Sequence, residues 1–558
     1  MAERPVPEAI ARIDLASIAD VGTRQAIRAL LTLVEEQVSE MRALRVENQQ
    51  LRDELTRLKG GQGRPKIRPG KSAGGSTDYS SEQERRTAPK PWQKRGKQDR
   101  VRVDRTERVV VDPATLPADA ELKGYERVVV QDLVLRTDTV AFELAVWSSP
   151  SERRSYRARR PVGYDGTFGP HLRTLVLTLA YGGGMSERKI LELVEGAGIV
   201  ISAGTVSNLL TEGRAAFEAE ALEVLQAGLG STPYQHLDDT STRVDGEGQY
   251  CQIVCNPLYT AYRTTPKKDR RTIIEVLRGG LGGGRPRTYR FDPEADRHLV
   301  FLGLSAAARA QLTAIPREQT LDEATLTALL DGPALRLGPK QQEQVREALA
   351  LASYLADPDW PVVRTLVCDD APQFRAITEE LALCWIHEGR HFKKLTPYLP
   401  QHQAALDTTL QQFWDYYREL LAYREQPTPE DRARLDAGFD TLFGTTTGYQ
   451  ALDQRLALTL DKKPELLLVL AHPALPLHNN PAELGARQRV RKRDVSFGPR
   501  SPAGASAWDT FMTLAATTRK LGLDFAAYLR DRFTKAGQIP PLADLISARA
   551  AQLALAHS

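Results

Sequence analysis

Apolar residues recur with a seven-residue period over residues 24–59, which predicts one long helix. A single Asn at an a position, here Asn48, is typical of two-stranded coiled coils. We therefore expect a leucine-zipper dimerisation helix, although an amphipathic helix packed on its own domain would give a similar pattern. The a positions are Ile27, Val34, Met41, Asn48 and Leu55, and the d positions are Leu30, Gln37, Leu44, Leu51 and Leu58.

The next two segments lack a helical period. Residues 60–100 contain eleven Lys/Arg against four Asp/Glu among many Gly, Pro and Ser, which predicts a basic disordered linker. It would serve either as an arm along DNA phosphates or as a solvated tether. Residues 101–165 alternate apolar and polar positions, which predicts a small β-rich module to which we assign no task.

Residues 166–230 read as helical. Ser186 and Ser202 are suited to cap two short helices joined by a Gly-containing turn, an arrangement typical of a helix-turn-helix. The second helix would place Thr205 and Asn208 in the major groove of DNA. Many helix pairs show this pattern without touching DNA, so the segment alone does not decide between the two interpretations.

Three strands are predicted at 234–244, 249–255 and 258–264, joined by tight turns into an antiparallel meander. The first strand contains Asp238 and Asp239, although carboxylates are poor strand formers. Successive side chains of a strand point to opposite faces, so one acid is expected in a site and the other in solvent.

A second aspartate pair, Asp369 and Asp370, follows the short buried strand predicted at 362–368. Acids at strand ends of α/β sheets are well placed for a site. A helix at 373–382 and a strand at 382–386 are predicted next. The segments 266–360 and 397–475 are expected to be mostly helical insertions, and 501–558 to form C-terminal helices.

Glu483 is the candidate for a third carboxylate. Asn480 as N-cap and Pro481 at N1 predict a helix start, which puts Glu483 at N3 and Arg487 one turn later. A Glu at N3 also closes a structural pair with the N-cap backbone. The basic run at 487–493 favours phosphates nearby, and three such acids suit Mg²⁺ and phosphoryl transfer.

Zinc is not expected, because Cys384, His387 and His391 are too few ligands for a closed site. The chain has 558 residues, 41% hydrophobic and 26% charged, with a net charge of +4 and four Cys, as for several soluble domains in a reducing compartment. The N-terminus lacks a signal-peptide pattern, and the apolar run at 466–477 is too short for a membrane span. We expect a cytoplasmic, nucleoid-associated protein without membrane contact.

The chain resembles the DDE transposases of bacterial insertion sequences, most closely the insertion-sequence-sixty-six family. The resemblance covers roughly residues 24–60 and 165–535. It rests on four motifs in the family's order: His236-Leu237-Asp238-Asp239-Thr240, Asp369 followed five residues later by Phe374, Cys384-Trp385-Ile386-His387, and Asn480-Pro481-Ala482-Glu483 with Arg487. Family members often carry a Cys-rich zinc module before the helix-turn-helix, whereas the first Cys of this chain is Cys251.

The resemblance implies an RNase H-like α/β catalytic domain at 231–500, interrupted by the two helical insertions. It implies that Asp238, Asp369 and Glu483 are catalytic ligands of two Mg²⁺ ions, with Mn²⁺ able to substitute. The expected partners are double-stranded DNA, both transposon ends and target, a second copy of the chain through the coiled coil, and accessory proteins of the same element. The expected DNA-contacting residues are Arg487, Arg489, Arg491, Lys492, Arg493, Thr205, Asn208, His387 and Arg390.

The expected activity is binding of the element's terminal repeats, phosphodiester cleavage and strand transfer. Two alternatives remain open at this point. An RNase H-like nuclease or junction resolvase would cut DNA without joining it. A dimeric DNA-binding protein with a non-catalytic acid triad would bind DNA and be indifferent to Mg²⁺.

Overall fold

The structure is a computed structural model. The predicted basic linker at 60–100 lies outside the residues that it describes. No described helix is both long and apolar enough to cross a lipid bilayer. The described residues are 17–58 and 102–557, except 113, 114, 118, 119, 134 and 281–284, together with the single positions 10 and 13.

Helices make up most of the described chain, and the strands are short except in the centre. The helices are α1 (Val21–Leu58), α2 (Pro170–Leu177), α3 (Glu187–Gly196), α4 (Ala203–Thr211), α5 (Ala215–Leu229), α6 (Arg270–Leu277), α7 (Pro293–Phe301), α8 (Ala306–Arg309), α9 (Glu323–Leu330), α10 (Pro339–Leu355), α11 (Trp385–Lys393), α12 (Pro400–Glu425), α13 (Pro429–Phe443), α14 (Gln450–Leu460), α15 (Lys463–Leu466), α16 (Asn480–Ser496), α17 (Pro502–Lys520), α18 (Phe525–Thr534) and α19 (Leu542–His557). The strands are β1 (Val146–Ser149), β2 (Arg154–Arg157), β3 (Tyr234–Val244), β4 (Glu247–Cys255), β5 (Thr260–Thr265), β6 (Thr288–Arg290), β7 (Thr320–Asp322), β8 (Thr365–Cys368) and β9 (Glu380–Leu383).

A five-stranded mixed sheet with the order β5-β4-β3-β8-β9 forms the centre of the α/β core. β3, β4 and β5 are antiparallel, as the predicted meander requires, whereas β8 runs parallel to β3 and β9 parallel to β8. The turn between β3 and β4 places Asp245 and Gly246 at φ 51° and 82°. Two successive positive φ angles are the geometry of tight hairpin turns, which explains the Asp-Gly sequence.

Helices cover both faces of this sheet. α16 packs against β3 and β4, and α17 packs against β5. Gly485 allows the close approach of α16, because a Cβ atom at this position would lie 2.8 Å from Cγ2 of Ile253 on β4. On the other face, α5 comes equally close at Gly228, which packs on the ring of Tyr259. The C-terminal helix α19 packs on α5, so the predicted C-terminal helices share the main core.

The two predicted insertions are largely helical. The first contains α6 to α10 and a small hairpin of β6 and β7. The second contains α12 to α15 and has its own aromatic core, in which Trp385 of α11 packs among Phe413, Tyr416 and Phe439. The second insertion is therefore anchored to the sheet through α11, the helix that directly follows β9.

Two elements between β8 and α11 differ from the sequence prediction. The helix expected at 373–382 is wrong, since a 3₁₀ turn at Pro372–Phe374 is followed by bends and then by β9. The strand expected at 382–386 lies at Glu380–Leu383, and Trp385 already begins a helix. Parallel pairing with β8 accounts for the end of this segment, because Glu380–Leu383 pair with Thr365–Cys368 and so cannot be helical.

Before residue 170 the described chain contains one long helix and one short hairpin. The predicted long helix is confirmed as α1, and its first half packs on the second insertion. The buried Glu35 accepts hydrogen bonds from the N–H groups of Tyr398 and Leu399, both to Oε1, at 2.7 and 2.8 Å. Four of the predicted d or a positions, namely Leu30, Leu44, Leu51 and Leu55, are more than half exposed in the single chain. Of the predicted β-rich module, the described residues contain the β1–β2 hairpin.

Candidate active site

Asp238 lies on the central strand β3 and faces helix α16. Its cross-strand neighbour on β4 is Ile253, the residue that touches Gly485 of α16. Its Oδ1 accepts a hydrogen bond from the N–H of Asp239 at 2.8 Å. Burial raises the pKa of Asp238 to about 7, and the negative charges of Asp369 and Glu483 add to the shift. Neither water nor a nearby cation therefore stabilises the ionised form of this carboxyl group well.

Asp239 points to the opposite face, as the strand alternation predicts. Its carboxylate pairs with Nζ of Lys268 at 3.2 Å and accepts a hydrogen bond from Nε2 of Gln373 at 3.2 Å. The two adjacent acids therefore have different environments: Asp239 has a cationic partner, whereas Asp238 has none within 4 Å among the described residues.

Asp369 lies directly after β8, at the level of Asp238. The parallel register pairs His236 of β3 with Val367 of β8, and the two acids lie two residues further along these strands. Burial raises the pKa of Asp369, although its Oδ1 accepts a hydrogen bond from the N–H of Ala371 at 3.2 Å. The register thus brings both candidate acids to one place on the sheet.

Asp370, unlike Asp369, has two cationic partners. Its carboxylate lies 2.5 Å from a guanidinium nitrogen of Arg375 and 2.6 Å from Nζ of Lys462. Burial alone would raise the pKa of Asp370, but the hydrogen bonds from Lys462 and Arg375 lower it overall. Lys462 belongs to the second insertion, so Asp370 ties that insertion to the end of β8.

Glu483 reaches the same region from the first turn of α16, and its side chain is 12% exposed. Its carboxylate lies 3.3 Å from Arg390, 3.5 Å from Arg487 and 3.7 Å from Nδ1 of His387. These contacts run across to α11 and along α16 rather than back to the N-cap. Glu483 therefore does not act as the capping residue that the sequence also permitted.

The N-cap of α16 is Asn479, one residue earlier than predicted, and its side chain makes no capping bond. Instead Nδ2 of Asn479 donates to the carbonyl of Leu237 at 2.7 Å, and Oδ1 lies 3.0 Å from Nδ1 of His236. Because an amide oxygen only accepts, Nδ1 of His236 carries the proton. Burial lowers the pKa of His236 to about 3, so the ring is neutral. Sequence reasoning missed Asn479, whose one signal is the doubled Asn before Pro481.

Cys384, His387 and Glu483 form a tight group between the first turns of α11 and α16. One potential ligand atom from each lies within 4.8 Å of the other two. Cys384 is the N-cap of α11 rather than a residue of the last strand. Among the residues that the structure describes, no group of three or more His, Cys, Asp or Glu side chains this close contains Asp238 or Asp369.

The basic residues of α16 divide into two sets. Arg487 and Arg491 are exposed. Arg489 is 1% exposed, pairs with Asp509 at 3.1 Å and donates to Oγ1 of Thr264 at 2.7 Å. The expectation that Arg489 contacts DNA is therefore wrong, because its guanidinium is used inside the core.

Lys492 is also buried, and the expectation that it contacts DNA is wrong as well. Its Nζ donates to the carbonyl of Ala180 at 2.8 Å and lies over the ring of Trp508 at 4.7 Å. Burial lowers the pKa of Lys492 to about 8. Arg493 is half-buried and donates to the carbonyl of Ser241 on β3. Three of the five basic residues at 487–493, namely Arg489, Lys492 and Arg493, thus attach α16 to the sheet and to α17.

The two predicted helices form as α3 and α4, with Ser186 and Ser202 at their N-cap positions, but the side chain of Ser186 makes no capping hydrogen bond. Oγ of Ser202 accepts a hydrogen bond from the N–H of Thr205 at 3.2 Å, and the Thr205 hydroxyl lies 2.9 Å from the same oxygen. Asn208 is exposed. α4 packs on α2, α3 and α17, so Thr205 and Asn208 belong to a surface separate from the acids.

The donor set formed by Asp238, Asp369 and Glu483 suits a hard cation. All three offer carboxylate oxygens, which Mg²⁺ prefers, and mutual repulsion contributes to the raised pKa of Asp238. A divalent cation would relieve that repulsion. The chemistry of these donors therefore suits Mg²⁺, although no choice of one oxygen from each of the three carboxylates lies within 4.8 Å of the other two.

Two comparisons with known proteins found matches to this chain. The model of the transposase IS66 family matches residues 165–285 and 342–507, which include the three acids. The chain is also similar to the uncharacterised protein y4jO of Sinorhizobium fredii, with 32% identity over 328 residues, 59% of this chain and 100% of that protein. No solved structure matches.

The matched segments identify a family of transposases, which are nucleic-acid-processing enzymes. The chain belongs to the IS66 transposase family. Residues 286–341, between the two matched segments, lie within the first helical insertion and include β6, β7 and α7 to α9.

Proposed function

We propose that the protein binds the terminal repeats of an insertion sequence and catalyses metal-dependent DNA cleavage and strand transfer. One observation carries the proposal: Asp238 on β3 and Asp369 directly after the adjacent β8 lie at the same level, and the pKa values of both are raised. The negative charge of Glu483 lies close enough to Asp238 to contribute to the raised pKa. Clustered, poorly compensated carboxylates are characteristic of functional sites. The sheet order and the position of α16 support an RNase H-like core.

In this proposal Asp238, Asp369 and Glu483 hold two Mg²⁺ ions, for which Mn²⁺ can substitute. Such ions activate the attacking oxygen and stabilise the leaving oxygen of an in-line displacement at phosphorus. The protein contributes the position of the acids. Asn479 fixes the start of α16 against β3, and thereby sets the distance between Glu483 and Asp238.

Arg390 and Arg487 have two tasks in the proposed reaction. Without DNA, both lie beside the carboxylate of Glu483 and compensate its charge. Both are about half exposed, so each can exchange this contact for a DNA phosphate when the site is occupied. His387, which lies between Arg390 and Glu483, would stay beside the acids.

Recognition of the DNA ends is assigned to other regions. The α3–α4 pair would act as a helix-turn-helix that presents Asn208, and exposed cations such as Arg491 would hold backbone phosphates. The exposed heptad positions of α1 would pair two copies of the chain and so bring two DNA ends together. Accessory proteins of the same element are further expected partners.

The proposal is tested with DNA that carries the element's own terminal repeats, incubated with the protein and Mg²⁺ or Mn²⁺. Wild type should give nicked and joined products, whereas Asp369→Asn and Glu483→Gln should bind the same DNA without cutting it. Cutting without joining would favour a nuclease or resolvase. Binding without cutting, also with the accessory proteins present, would contradict the catalytic assignment.

A further inference from the structure

The group formed by Cys384, His387 and Glu483 has a different chemistry from the aspartates. It combines a thiol, an imidazole and a carboxylate, with one atom of each inside 4.8 Å of the other two. Sulfur and imidazole ligands favour Zn²⁺ and its relatives over Mg²⁺. Bonds of 2.0–2.3 Å to a tetrahedral ion place ligand atoms about 3.5 Å apart, so closure needs side-chain movements on the order of 1 Å.

Burial raises the pKa of the Cys384 thiol to about 11, and three backbone N–H groups act against this shift. The side chain is buried, and the N–H of Asn479 donates to Sγ at 3.2 Å. The N–H groups of Ile386 and His387, in the first turn of α11, also favour the thiolate. The N-termini of two helices therefore meet at this sulfur, and helix N-termini stabilise anions.

His387 provides a second indication. Its Nδ1 is buried and has no hydrogen-bond partner among the described residues, although it lies 3.7 Å from Oε1 of Glu483. A buried polar atom without a partner is costly, and a ligand would satisfy it. Nε2 lies 3.0 Å from a guanidinium nitrogen of Arg390, which also contacts Glu483. A cationic side chain thus lies against two of the three ligands.

We propose that Cys384, His387 and Glu483 form a Zn²⁺ site whose fourth position is open to water. Binding displaces Arg390 from His387 and Glu483 and releases the proton of the thiol, while the imidazole proton moves from Nδ1 to the vacated Nε2. Three protein ligands and one open position are the usual composition of a non-structural zinc site. Because Glu483 is shared with the proposed Mg²⁺ site, Zn²⁺ should also inhibit DNA cleavage; this consequence rests on the proposed function, whereas the zinc site itself does not.

The site is tested by adding Co²⁺, as a spectroscopic substitute for Zn²⁺, to the full-length metal-free protein without DNA. In wild type a thiolate-to-cobalt charge-transfer band should appear and saturate at one equivalent of Co²⁺. One equivalent of Zn²⁺ should then remove the band. Cys384→Ser should abolish the band, and His387→Gln should weaken binding by about 10–100-fold. Cys251→Ser removes an equally buried thiol and is the matched control; it should keep the band.

A variant that gains affinity separates the proposal from simple loss of folding. Arg390→Met removes the guanidinium that competes for His387 and Glu483, so it should bind Co²⁺ more tightly than wild type. Unchanged or weaker binding would overturn the displacement step. Absence of the band in folded wild type, or its persistence in Cys384→Ser, would overturn the site.

The cleavage assay distinguishes failure of the site from failure of the proposed function. Zn²⁺ added to the Mg²⁺ reaction should inhibit wild type with the midpoint found in the cobalt competition. A protein that binds Co²⁺ but never cuts DNA would retain the zinc site and lose the proposed function. A protein that cuts DNA but shows no charge-transfer band would do the reverse.

Discussion

The two aspartate pairs of the chain show the same division of environments. In each pair the first residue, Asp238 or Asp369, has a raised pKa and faces the candidate site. The second residue, Asp239 or Asp370, pairs with cations, Lys268 in one case and Arg375 with Lys462 in the other. One residue of sequence therefore separates a carboxylate available to a metal from one already compensated by the protein.

In both pairs the path of the backbone decides which aspartate faces the candidate site and which one pairs with cations. On β3 the pleat sends neighbours to opposite faces, and at the end of β8 the chain turns immediately after Asp369. Two of the three cations come from other parts of the chain, Lys268 from the loop after β5 and Lys462 from the second insertion. The second aspartates thus attach loops and the insertion to the sheet, while the first ones are kept free of cationic partners.

The largest effect on DNA cleavage is expected when the two aspartates of one pair are replaced one at a time. Asp238→Asn should lower DNA cleavage by at least about 100-fold, because a group that stabilises charge in the transition state is lost. Asp239→Asn, the matched control, should cut at a rate close to wild type. Comparable losses in the two variants, measured as initial rates of nicking, would abolish the distinction between them.

The basic residues of α16 show a similar division, since some are buried in ion pairs and others are exposed. Arg489→Ala should lower the free energy of unfolding by about 3 kcal/mol, because Asp509 would remain buried without its partner. Arg491→Ala should change it by less than about 0.5 kcal/mol. Urea denaturation measures both, and equal stabilities would contradict the internal role of Arg489.

The smallest effect is the pH dependence of stability. The pKa of Asp238 is about 7 in the folded chain against 3.8 ordinarily, so between these values the folded state holds more protons than the unfolded state. Its contribution to stability is therefore lost as pH rises through this window. Between pH 5 and pH 8, metal-free Asp238→Asn should gain about 2.5 kcal/mol of unfolding free energy relative to wild type.

The difference between these two proteins isolates Asp238. His236, whose pKa is lowered to about 3, loses its contribution as pH falls and so acts with the opposite sign, but it is present in both. Urea titrations at the two pH values provide the measurement. A stability difference that stays constant with pH would show that the carboxyl group of Asp238 is not perturbed.

Much of the sheet could be predicted from the sequence. Alternation and the Asp-Gly turn give β3 its observed limits, and the long period of α1 gives a helix within a few residues of the predicted one. The region after β8 could not be predicted, because the strand at Glu380–Leu383 depends on pairing with β8 rather than on its own pattern. Sequence cannot weigh such long-range pairing against local propensity.

The candidate site was predictable only in part. Order along the chain and resemblance pointed to Asp238, Asp369 and Glu483, and the register places the first two side by side. The basic run at 487–493 misled, because charge alone does not tell an exposed Arg491 from a buried Arg489. The buried partners of Arg489, Asp509 and Thr264, belong to other elements, and no pattern near Arg489 in the sequence indicates them.

The central claim is that the first acid of each pair binds the catalytic metal and the second does not. Mn²⁺ binding, followed by the electron paramagnetic resonance signal of the free ion, tests it without DNA. Asp238→Asn and Asp369→Asn should bind Mn²⁺ at least about tenfold more weakly than wild type, while Asp239→Asn and Asp370→Asn bind it as wild type does. Equal affinity in all five proteins, or a loss confined to the second acids, would contradict the account.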